Sequence, residues 1–276
     1  MKLVFGGDGQ LGTAFRGLLT EAQFVDRRET DLAERGSVAG LVRDARPSAV
    51  INCAAFTAVD AAERDPALAI DINGIAVGEM AGACADLDIP FLTFSTDYVF
   101  PGDAREPYLE HQTPSPVGAY GRSKLIGEWM AAAVYDRSLI VRTSWLISPT
   151  HDNFVSAILR RALTGSVRVV DDQVGKPTIA HDLAVASAEA LSNDITGIVH
   201  LANSGETSWF GLAREIVSDA GMDASIVEPC STEEFPTEAS RPAYSVLGTR
   251  RRDVPVMPSW RPSLRSLVQD QLARIT

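Results

Sequence analysis

A tyrosine and a lysine four residues apart, Tyr120 and Lys124, have the clearest capacity for acid–base chemistry in this sequence. Four residues make about one turn of an α-helix, so both side chains project from the same face. A neighbouring ammonium group favours the phenolate and lowers the tyrosine pKa from its ordinary value of about 10. We therefore expect Tyr120 to act as a general acid or base near neutral pH. A surface Tyr–Lys pair is the alternative.

A glycine-rich turn precedes that pair in the chain and predicts a nucleotide site. Gly6, Gly9 and Gly12 follow a short apolar run, and Gly7 completes a G-x-G-x-x-G spacing. Such spacing lets the chain turn tightly out of a strand and places the free N–H groups of a helix against a pyrophosphate. Asp26 ends the next predicted strand, where a carboxylate binds a ribose diol. Together these features predict dinucleotide binding, with a plain strand–helix turn as the alternative.

The residues around Asp26 give conflicting indications about the nicotinamide cofactor. Asp26 favours NADH, because its carboxylate can hydrogen-bond the ribose diol. Arg27 and Arg28 follow at once and favour NADPH, because guanidinium groups hold a 2′-phosphate. The sequence leaves the choice between NADPH and NADH open, and a solvated arginine pair is a third interpretation.

Alternating strand and helix patterns must position these residues. Strands are predicted at 2–5, 23–26, 49–53, 89–94, 139–142 and 198–201. Helices are predicted at 10–19, 38–45, 66–86, from Tyr120 to about 135, and at 153–163, 181–192, 209–220 and 264–275, with a proline-rich loop at 101–116. The alternation predicts an α/β fold, a Rossmann-type doubly wound parallel sheet with a smaller C-terminal substrate-binding lobe. We expect residues 1–144, rejoined by 172–203, to form the nucleotide-binding domain, and 145–171 and 204–276 to form mainly the lobe.

Composition excludes several classes of protein. The 276 residues are 45% hydrophobic and 22% charged, which is typical of a globular protein with a large core. A net charge of −11 argues against nucleic-acid and anionic-membrane partners, both of which require a basic surface. The three cysteines, Cys53, Cys84 and Cys230, lack C-x-x-C spacing, so we expect reduced thiols and no zinc site. With no signal peptide ahead of Lys2 and no apolar run of transmembrane length expected, the sequence favours a cytoplasmic protein.

Longer strings carry a resemblance to a known family. They are Gly-Gln-Leu-Gly at 9–12, Asn-Cys-Ala-Ala-Phe-Thr-Ala-Val-Asp at 52–60, Ser-Thr-Asp-Tyr-Val-Phe at 95–100, Tyr-Gly-Arg-Ser-Lys at 120–124 and Arg-Thr-Ser-Trp at 142–145. Further matches lie at 153–154, 172–178 and 239–242. The chain resembles, over nearly its whole length, the dTDP-4-dehydrorhamnose reductases of the extended short-chain dehydrogenases/reductases. The strings at 95–100 and 142–145 separate that family from the related epimerases and dehydratases.

The resemblance implies reduction of the C4 ketone of dTDP-4-dehydro-L-rhamnose to dTDP-L-rhamnose with NADPH or NADH. It implies that Tyr120 delivers the proton, Lys124 holds the nicotinamide ribose and Thr96 donates a second hydrogen bond to the carbonyl. The residues expected to bind the cofactor are Gly6, Gly9, Gln10, Leu11, Gly12, Asp26, Arg27, Asp31, Leu32, Ala55, Phe56, Thr57, Tyr120 and Lys124. Those expected to bind the nucleotide sugar are Thr96, Asp97, Tyr120, Trp145, Asn153 and Arg241.

Four of these assignments have structural alternatives. The Thr96 hydroxyl can cap its own strand end, and Trp145 can be a core residue rather than a surface for the sugar. Asn153 can be a helix N-cap. Arg241 is expected to grip the diphosphate, because guanidinium binds phosphate oxygens in a bidentate way; a surface salt bridge is its alternative.

Departures from the family pattern leave two questions open. Leu146-Ile147 stands where an aromatic residue often follows the family's tryptophan, so a reductase of another nucleotide-linked 4-keto-deoxysugar is a second interpretation. Arg261-Pro262 follows Trp260, which puts the metal-bridged dimer of some members in doubt; no metal is expected, and monomer and homodimer stay open. A non-catalytic subunit similar to the regulatory subunit of methionine adenosyltransferase is a third interpretation, against which the catalytic residues argue.

Overall fold

A computed structural model describes residues 1–276. The strands are β1 Lys2–Phe5, β2 Gln23–Val25, β3 Ala49–Asn52, β4 Phe91–Thr96, β5 Ser138–Thr143, β6 Leu146–Ile147, β7 Val167–Val170, β8 Val174–Gly175, β9 Thr178–Ile179, β10 Gly197–His200, β11 Thr207–Ser208 and β12 Val227–Cys230. The helices are α1 Gln10–Leu18, α2 Ser37–Ala45, α3 Val59–Arg64, α4 Pro66–Ile70, α5 Ala76–Leu87, α6 Ala119–Val134, α7 Phe154–Ala162, α8 Ala180–Ser192, α9 Trp209–Asp219 and α10 Arg261–Ile275.

Six strands form one parallel sheet in the order β10-β5-β4-β3-β1-β2. Helices cover both faces, which is why β3 and β4 are buried at every residue and read as continuous apolar runs. The strand order reverses between β1 and β3, and ligands of such sheets bind at the carboxyl ends of the strands beside that reversal. The predicted doubly wound parallel sheet is confirmed.

Two apolar cores flank the sheet. On one face α1 and α8 pack together, with Phe15 and Leu183 fully buried. On the other face α2 and α5 pack together, with Val42 and Met80 fully buried. These cores fix the strand ends from which the polar residues of the site project.

A third core holds the lobe. Helices α7, α9 and α10 pack around buried side chains that include Ile216 and Trp260. Its strands are short and pair two by two, β6 with β9, β7 with β12 and β8 with β11. Helix α8 and strand β10 return to the large sheet, whereas residues 174–179, expected to rejoin it, pair with lobe strands instead.

The long helix predicted at 66–86 is interrupted. A π-helical turn, Asp71–Ile75, separates α4 from α5. The whole stretch Pro66–Leu87 is long and apolar enough to cross a membrane by length and composition, so the expectation that no such run exists is wrong. More than half of its most apolar window, 56%, is buried inside the protein, where it packs against α2 and α6.

The closing helix starts earlier than predicted. Helix α10 begins at Arg261 rather than Leu264, because Pro262 fits the first turn, where a backbone N–H has no partner within the helix. The three cysteines are free, as expected. Burial raises the pKa of Cys84 to about 12, so this thiol stays protonated.

Candidate active site

The glycine turn joins β1 to α1 and leaves the helix N-terminus free. Gly6 has a φ of +74°, and a Cβ atom there would lie 2.6 Å from the backbone nitrogen of Ala54. A Cβ atom on Gly12 would lie 2.1 Å from the carbonyl oxygen of Gly6. No side chain caps α1 at Gly9. The first N–H groups of the helix are therefore available to an anion, which is what a pyrophosphate requires.

Residues of the lobe hold the same turn from the other side. The Gln10 side-chain oxygen accepts hydrogen bonds from the Ser148 hydroxyl at 2.9 Å and from the Asn153 amide at 3.0 Å. His151 Nε2 donates to the carbonyl oxygen of Asp8 at 2.7 Å. The loop at 148–153 and the glycine turn thus form one hydrogen-bonded unit.

Acidic and basic groups meet at the end of β2. The Arg28 backbone N–H donates to Asp26 Oδ1 at 2.7 Å, and this bond chiefly lowers the pKa of Asp26. The Arg28 guanidinium is 88% exposed and lies 3.6 Å from Asp26 and 4.0 Å from Asp8. Arg27 and Arg28 line the same cavity wall as Asp26. The carboxylate that favours NADH and the guanidinium groups that favour NADPH therefore lie next to each other, and both face the cavity.

A buried asparagine, not predicted from the sequence, ties the cofactor loop to the catalytic helix. Asn73 lies on the π-helical turn, and its side chain makes two hydrogen bonds with the backbone of Phe56, at 2.8 and 2.9 Å. Its amide also donates to the Ser123 hydroxyl on α6 at 2.9 Å. In the sequence, the one indication of this role is that Asn73 is a polar residue in the middle of a long, mainly apolar stretch.

Thr96, Tyr120 and Lys124 line the same cavity. Thr96 is the last residue of β4, and Tyr120 and Lys124 lie in the first two turns of α6. The start of α6 packs closely on the segment after β4, since a Cβ atom on Gly121 would lie 2.1 Å from the carbonyl oxygen of Tyr98. This contact sets the tyrosine beside the threonine at the carboxyl edge of the sheet.

The ionisation of the pair differs from the expectation. Burial raises the pKa of Tyr120 to about 12, and the Thr96 hydroxyl offsets only part of that rise. Burial also lowers the pKa of Lys124 to about 8, against the opposing charge of Glu128. In the folded chain desolvation therefore outweighs the expected lowering of the tyrosine pKa by the ammonium group. A protonated phenol is nevertheless the form that a proton donor requires.

A buried ion pair lies behind Lys124 and was not predicted. Glu128, one turn along α6, accepts from Arg142 Nη2 at 2.6 Å and from Arg142 Nε at 2.8 Å. The two side chains are 2% and 1% exposed. The Ser95 hydroxyl also donates to Glu128. This network joins α6 to β4 and β5 close to Lys124, on which the Glu128 charge acts.

Asp97 is the acidic residue nearest the reacting groups. It is 2% exposed, and its Oδ1 accepts a hydrogen bond from the Thr96 hydroxyl at 3.0 Å. Its Oδ2 is buried without a hydrogen-bond partner. Burial raises the pKa of Asp97 to about 7, although the hydroxyls of Ser245 and Thr96 counteract the rise.

Trp145 lies at the mouth of the lobe in an unusual backbone conformation. Its φ is +44°, and its ring stacks on Trp209 with centroids 3.4 Å apart. The opposing Gly175 has no room for a Cβ atom, which would lie 2.5 Å from the indole. Trp145 and Leu146 both line the cavity. The tryptophan is thus held rigidly with part of its surface facing the site.

Two predicted substrate contacts have other partners. Asn153 caps α7, accepting from the Val155 N–H at 2.9 Å, and its amide is bound to Gln10 and two carbonyl groups. Arg241 forms an ion pair with Asp60 at 3.0 Å. Neither residue lines the cavity, and in both cases the geometry matches the structural alternative. Both side chains form hydrogen bonds with groups that are close in space but distant along the chain, so the sequence did not indicate these partners.

The remaining predicted residues share one cavity of about 790 Å³. Those lining it are Gly6, Gly9, Gln10, Leu11, Asp26, Arg27, Asp31, Leu32, Ala55, Phe56, Thr57, Thr96, Asp97, Tyr120, Lys124 and Trp145. Gly12 lies outside the lining and permits the close approach of α1. The cavity runs from an anion-binding helix terminus to an acid–base group, as an extended dinucleotide and a second substrate require.

The fold and this site define a nucleotide-dependent oxidoreductase of the short-chain dehydrogenase/reductase type. The chain belongs to the family described as RmlD substrate binding domain, whose model matches residues 1–273. It is 38% identical to a dTDP-4-dehydrorhamnose reductase of Burkholderia thailandensis, over 99% of each chain. It is 37% identical to a dTDP-4-keto-6-deoxy-D-glucose reductase of Streptomyces niveus, over 89% of this chain and 88% of that one.

A solved structure extends the likeness to three dimensions. The dTDP-4-dehydrorhamnose reductase of Bacillus anthracis, crystallised in complex with NADP, superposes with a TM-score of 0.93 at 35% identity, covering 98% of each chain. The resemblance drawn from the sequence strings is therefore confirmed.

Proposed function

We propose that this protein reduces the C4 ketone of dTDP-4-dehydro-L-rhamnose to dTDP-L-rhamnose with NADPH or NADH. One observation carries the proposal: Thr96, Tyr120 and Lys124 line the same cavity as the glycine turn. A nucleotide-binding turn and a proton donor thus serve a single space, whose volume lies in the range of roughly 300–1,000 Å³ that ligand sites occupy.

The residues of the chain handle the proton and the developing charge. NAD(P)H, when bound, supplies the hydride. Tyr120 keeps its proton near neutral pH, because burial raises its pKa to about 12, and passes it to the alkoxide that forms at C4. Thr96 donates a second hydrogen bond to that oxygen. The Lys124 cation stabilises the phenolate left on Tyr120 and contacts the nicotinamide ribose.

The two ends of the cavity serve different parts of the ligands. Free N–H groups at the start of α1 hold the pyrophosphate of the cofactor. Asp26 and the Arg27-Arg28 pair contact the adenosine ribose, and both cofactors are accommodated. Trp145 offers a rigid aromatic surface to the sugar, and Asp97 lies behind Thr96.

A reductase of another nucleotide-linked 4-keto-deoxysugar is the second candidate. Leu146 lines the cavity beside Trp145, at the position where the family often has an aromatic residue, and the relative from Streptomyces niveus is named for a different keto sugar. A non-catalytic docking subunit is a weaker candidate, because a subunit without chemistry does not require a threonine, a tyrosine and a lysine converging on one cavity.

The experiment follows NAD(P)H absorbance with the 4-keto-L-rhamnose nucleotide generated in situ and each cofactor in turn. We expect cofactor oxidation by the wild type and a loss of about 10²- to 10⁴-fold in Tyr120→Phe, which lacks the proton donor but still binds cofactor. Tyr135→Phe is the matched control, since it removes a hydroxyl without a hydrogen-bond partner just past the C-terminal end of α6, whereas Tyr120 lies at its start. Absence of turnover with every 4-keto sugar nucleotide would exclude both enzymatic candidates.

Location and partners follow from this chemistry. We propose that the enzyme works in the cytoplasm, where nucleotide sugars are made and NAD(P)H is available. Its partner is a nucleotide sugar, and it binds neither nucleic acid nor a membrane.

A further inference from the structure

We propose that Asp97 is a positioning residue, acting as a neutral carboxylic acid that turns the single proton of the Thr96 hydroxyl toward the substrate ketone. The proposal rests on the reduction proposed above. It assigns to Asp97 a role distinct from the substrate contact predicted from the sequence.

Counting hydrogen bonds at Thr96 leads to this role. The Thr96 hydroxyl accepts from the Tyr98 backbone N–H at 3.2 Å and donates to Asp97 Oδ1 at 3.0 Å. A hydroxyl has one proton to donate. While that proton is directed at a carboxylate, Thr96 cannot donate to a ketone oxygen. The oxygen would then receive only the bond from Tyr120.

Protonation of Asp97 reverses the direction of the bond. A carboxylic acid donates its own proton from Oδ1 to the Thr96 oxygen, which then accepts from both Asp97 and Tyr98. The threonine proton is released toward the cavity that Thr96 and Tyr120 both line, where the ketone oxygen, once bound, competes for it with the Tyr120 oxygen. A neutral Asp97 also avoids placing a negative charge beside an oxygen that becomes negative during the reaction.

The surroundings of Asp97 favour the neutral form. The side chain is 2% exposed, and Oδ2 has no partner at hydrogen-bond distance, an arrangement that is costly for a carboxylate. The Ser245 hydroxyl lies near enough to lower the pKa of Asp97 but does not offset the effect of burial. Burial raises the pKa of Asp97 to about 7, so the carboxyl is mostly protonated in mildly acidic solution and about half protonated at pH 7.

Asp97 forms no salt bridge, although the Lys124 cation lines the same cavity. The titratable groups around it are Tyr98, which follows it in the chain, and Tyr120 and Lys124 on α6, which share the cavity. The Ser245 hydroxyl faces it from the lobe. Arg241 and Asp60 lie near Tyr98 but are paired with each other.

The test compares pH profiles of turnover for the wild type, Asp97→Asn, Thr96→Val and the double variant. Asparagine has the shape of the protonated acid and donates permanently to Thr96. Wild-type turnover should fall as pH rises through about 7, toward the level of Thr96→Val, a loss on the order of a hundredfold. In Asp97→Asn the descending limb of the turnover profile should move to about 8, where Lys124 loses its proton, and turnover above about pH 7 should exceed that of Thr96→Val.

Several results would overturn the proposal. If Asp97→Asn turns over as slowly as Thr96→Val at every pH, Asp97 has a merely structural role. If the descending limb of the pH profile does not move in Asp97→Asn, Asp97 does not govern that limb. A shift of the limb by Asp97→Asn in the Thr96→Val background would mean that Asp97 does not act through Thr96.

Infrared spectroscopy separates this proposal from the proposed function. The carbonyl stretch of a protonated carboxylic acid should be present at about pH 6, lost at about pH 8 and missing in Asp97→Asn. This band is observed whether or not the protein reduces the sugar nucleotide. If the wild type lacks this carbonyl band at about pH 6, Asp97 is not protonated and the positioning role is refuted. If the band is present but the protein does not reduce the sugar nucleotide, only the proposed reaction is refuted.

Discussion

Replacing Glu128 by Gln tests the buried ion pair close to Lys124. The substitution keeps the shape of the side chain but leaves the Arg142 guanidinium, 1% exposed, without a negative partner. Its other contacts are weak: the His200 ring nitrogen at 3.4 Å, the Glu110 carbonyl oxygen at 3.5 Å and the Phe100 ring at 5.0 Å. Breaking a buried pair in this way costs about 3–5 kcal/mol, a large part of a total stability of about 5–15 kcal/mol.

Urea denaturation of the wild type, Glu128→Gln and Glu238→Gln measures that cost. Glu238 and Arg64 have the same 2.6 Å separation, but their side chains are 51% and 63% exposed, so the control should lose less than about 1 kcal/mol. The denaturation midpoint of Glu128→Gln should fall with little change in slope. Equal losses in the two variants would refute the reasoning that burial, rather than distance, sets the strength of the pair.

Two further substitutions probe the turn and the sheet. Gly12→Ala places a Cβ atom 2.1 Å from the Gly6 carbonyl oxygen, so we expect cofactor affinity, measured by fluorescence titration, to fall by at least about tenfold. Gly17→Ala on the same helix meets no atom within 4 Å and is the control; similar affinities would contradict the steric argument. His200 has a pKa lowered to about 4 by burial, so the unfolded chain binds more protons and stability falls by about 3 kcal/mol as pH falls from about 6.5 to about 4. Denaturation series at several pH values should show a shallower fall in His200→Gln, and an unchanged fall would exclude His200 as its source.

Features carried by local pattern were predictable from the sequence. The buried strands β3 and β4 appear as apolar runs, and the turn at Gly6 and Gly12 follows from spacing alone. Tyr120 and Lys124 share a helix face because of their separation. These arguments require only neighbours along the chain, which is why the sheet could be predicted from pattern, whereas most of the cavity-lining residues were expected from the family resemblance.

Features that depend on distant partners were not predictable. The two-residue strands of the lobe exist only through pairing with segments far along the chain. Arg241 forms an ion pair with Asp60, 181 positions away, and Asn153 donates a hydrogen bond to Gln10, 143 positions away. The pKa of Tyr120 rises because the folded chain removes it from water, and helical spacing conveys nothing about that burial.

The return of the chain to the sheet has a consequence for its synthesis. Strand β5 ends at Thr143, and its outer neighbour β10 begins only at Gly197, so the whole of 144–196 must emerge before that edge is covered. Arg142 and His200 are opposite each other in the completed pair. A nascent chain that stops short of Gly197 presents an open strand edge, the kind of surface on which chains associate with one another. Completion of the six-stranded sheet therefore waits until Gly197–His200 has been synthesised.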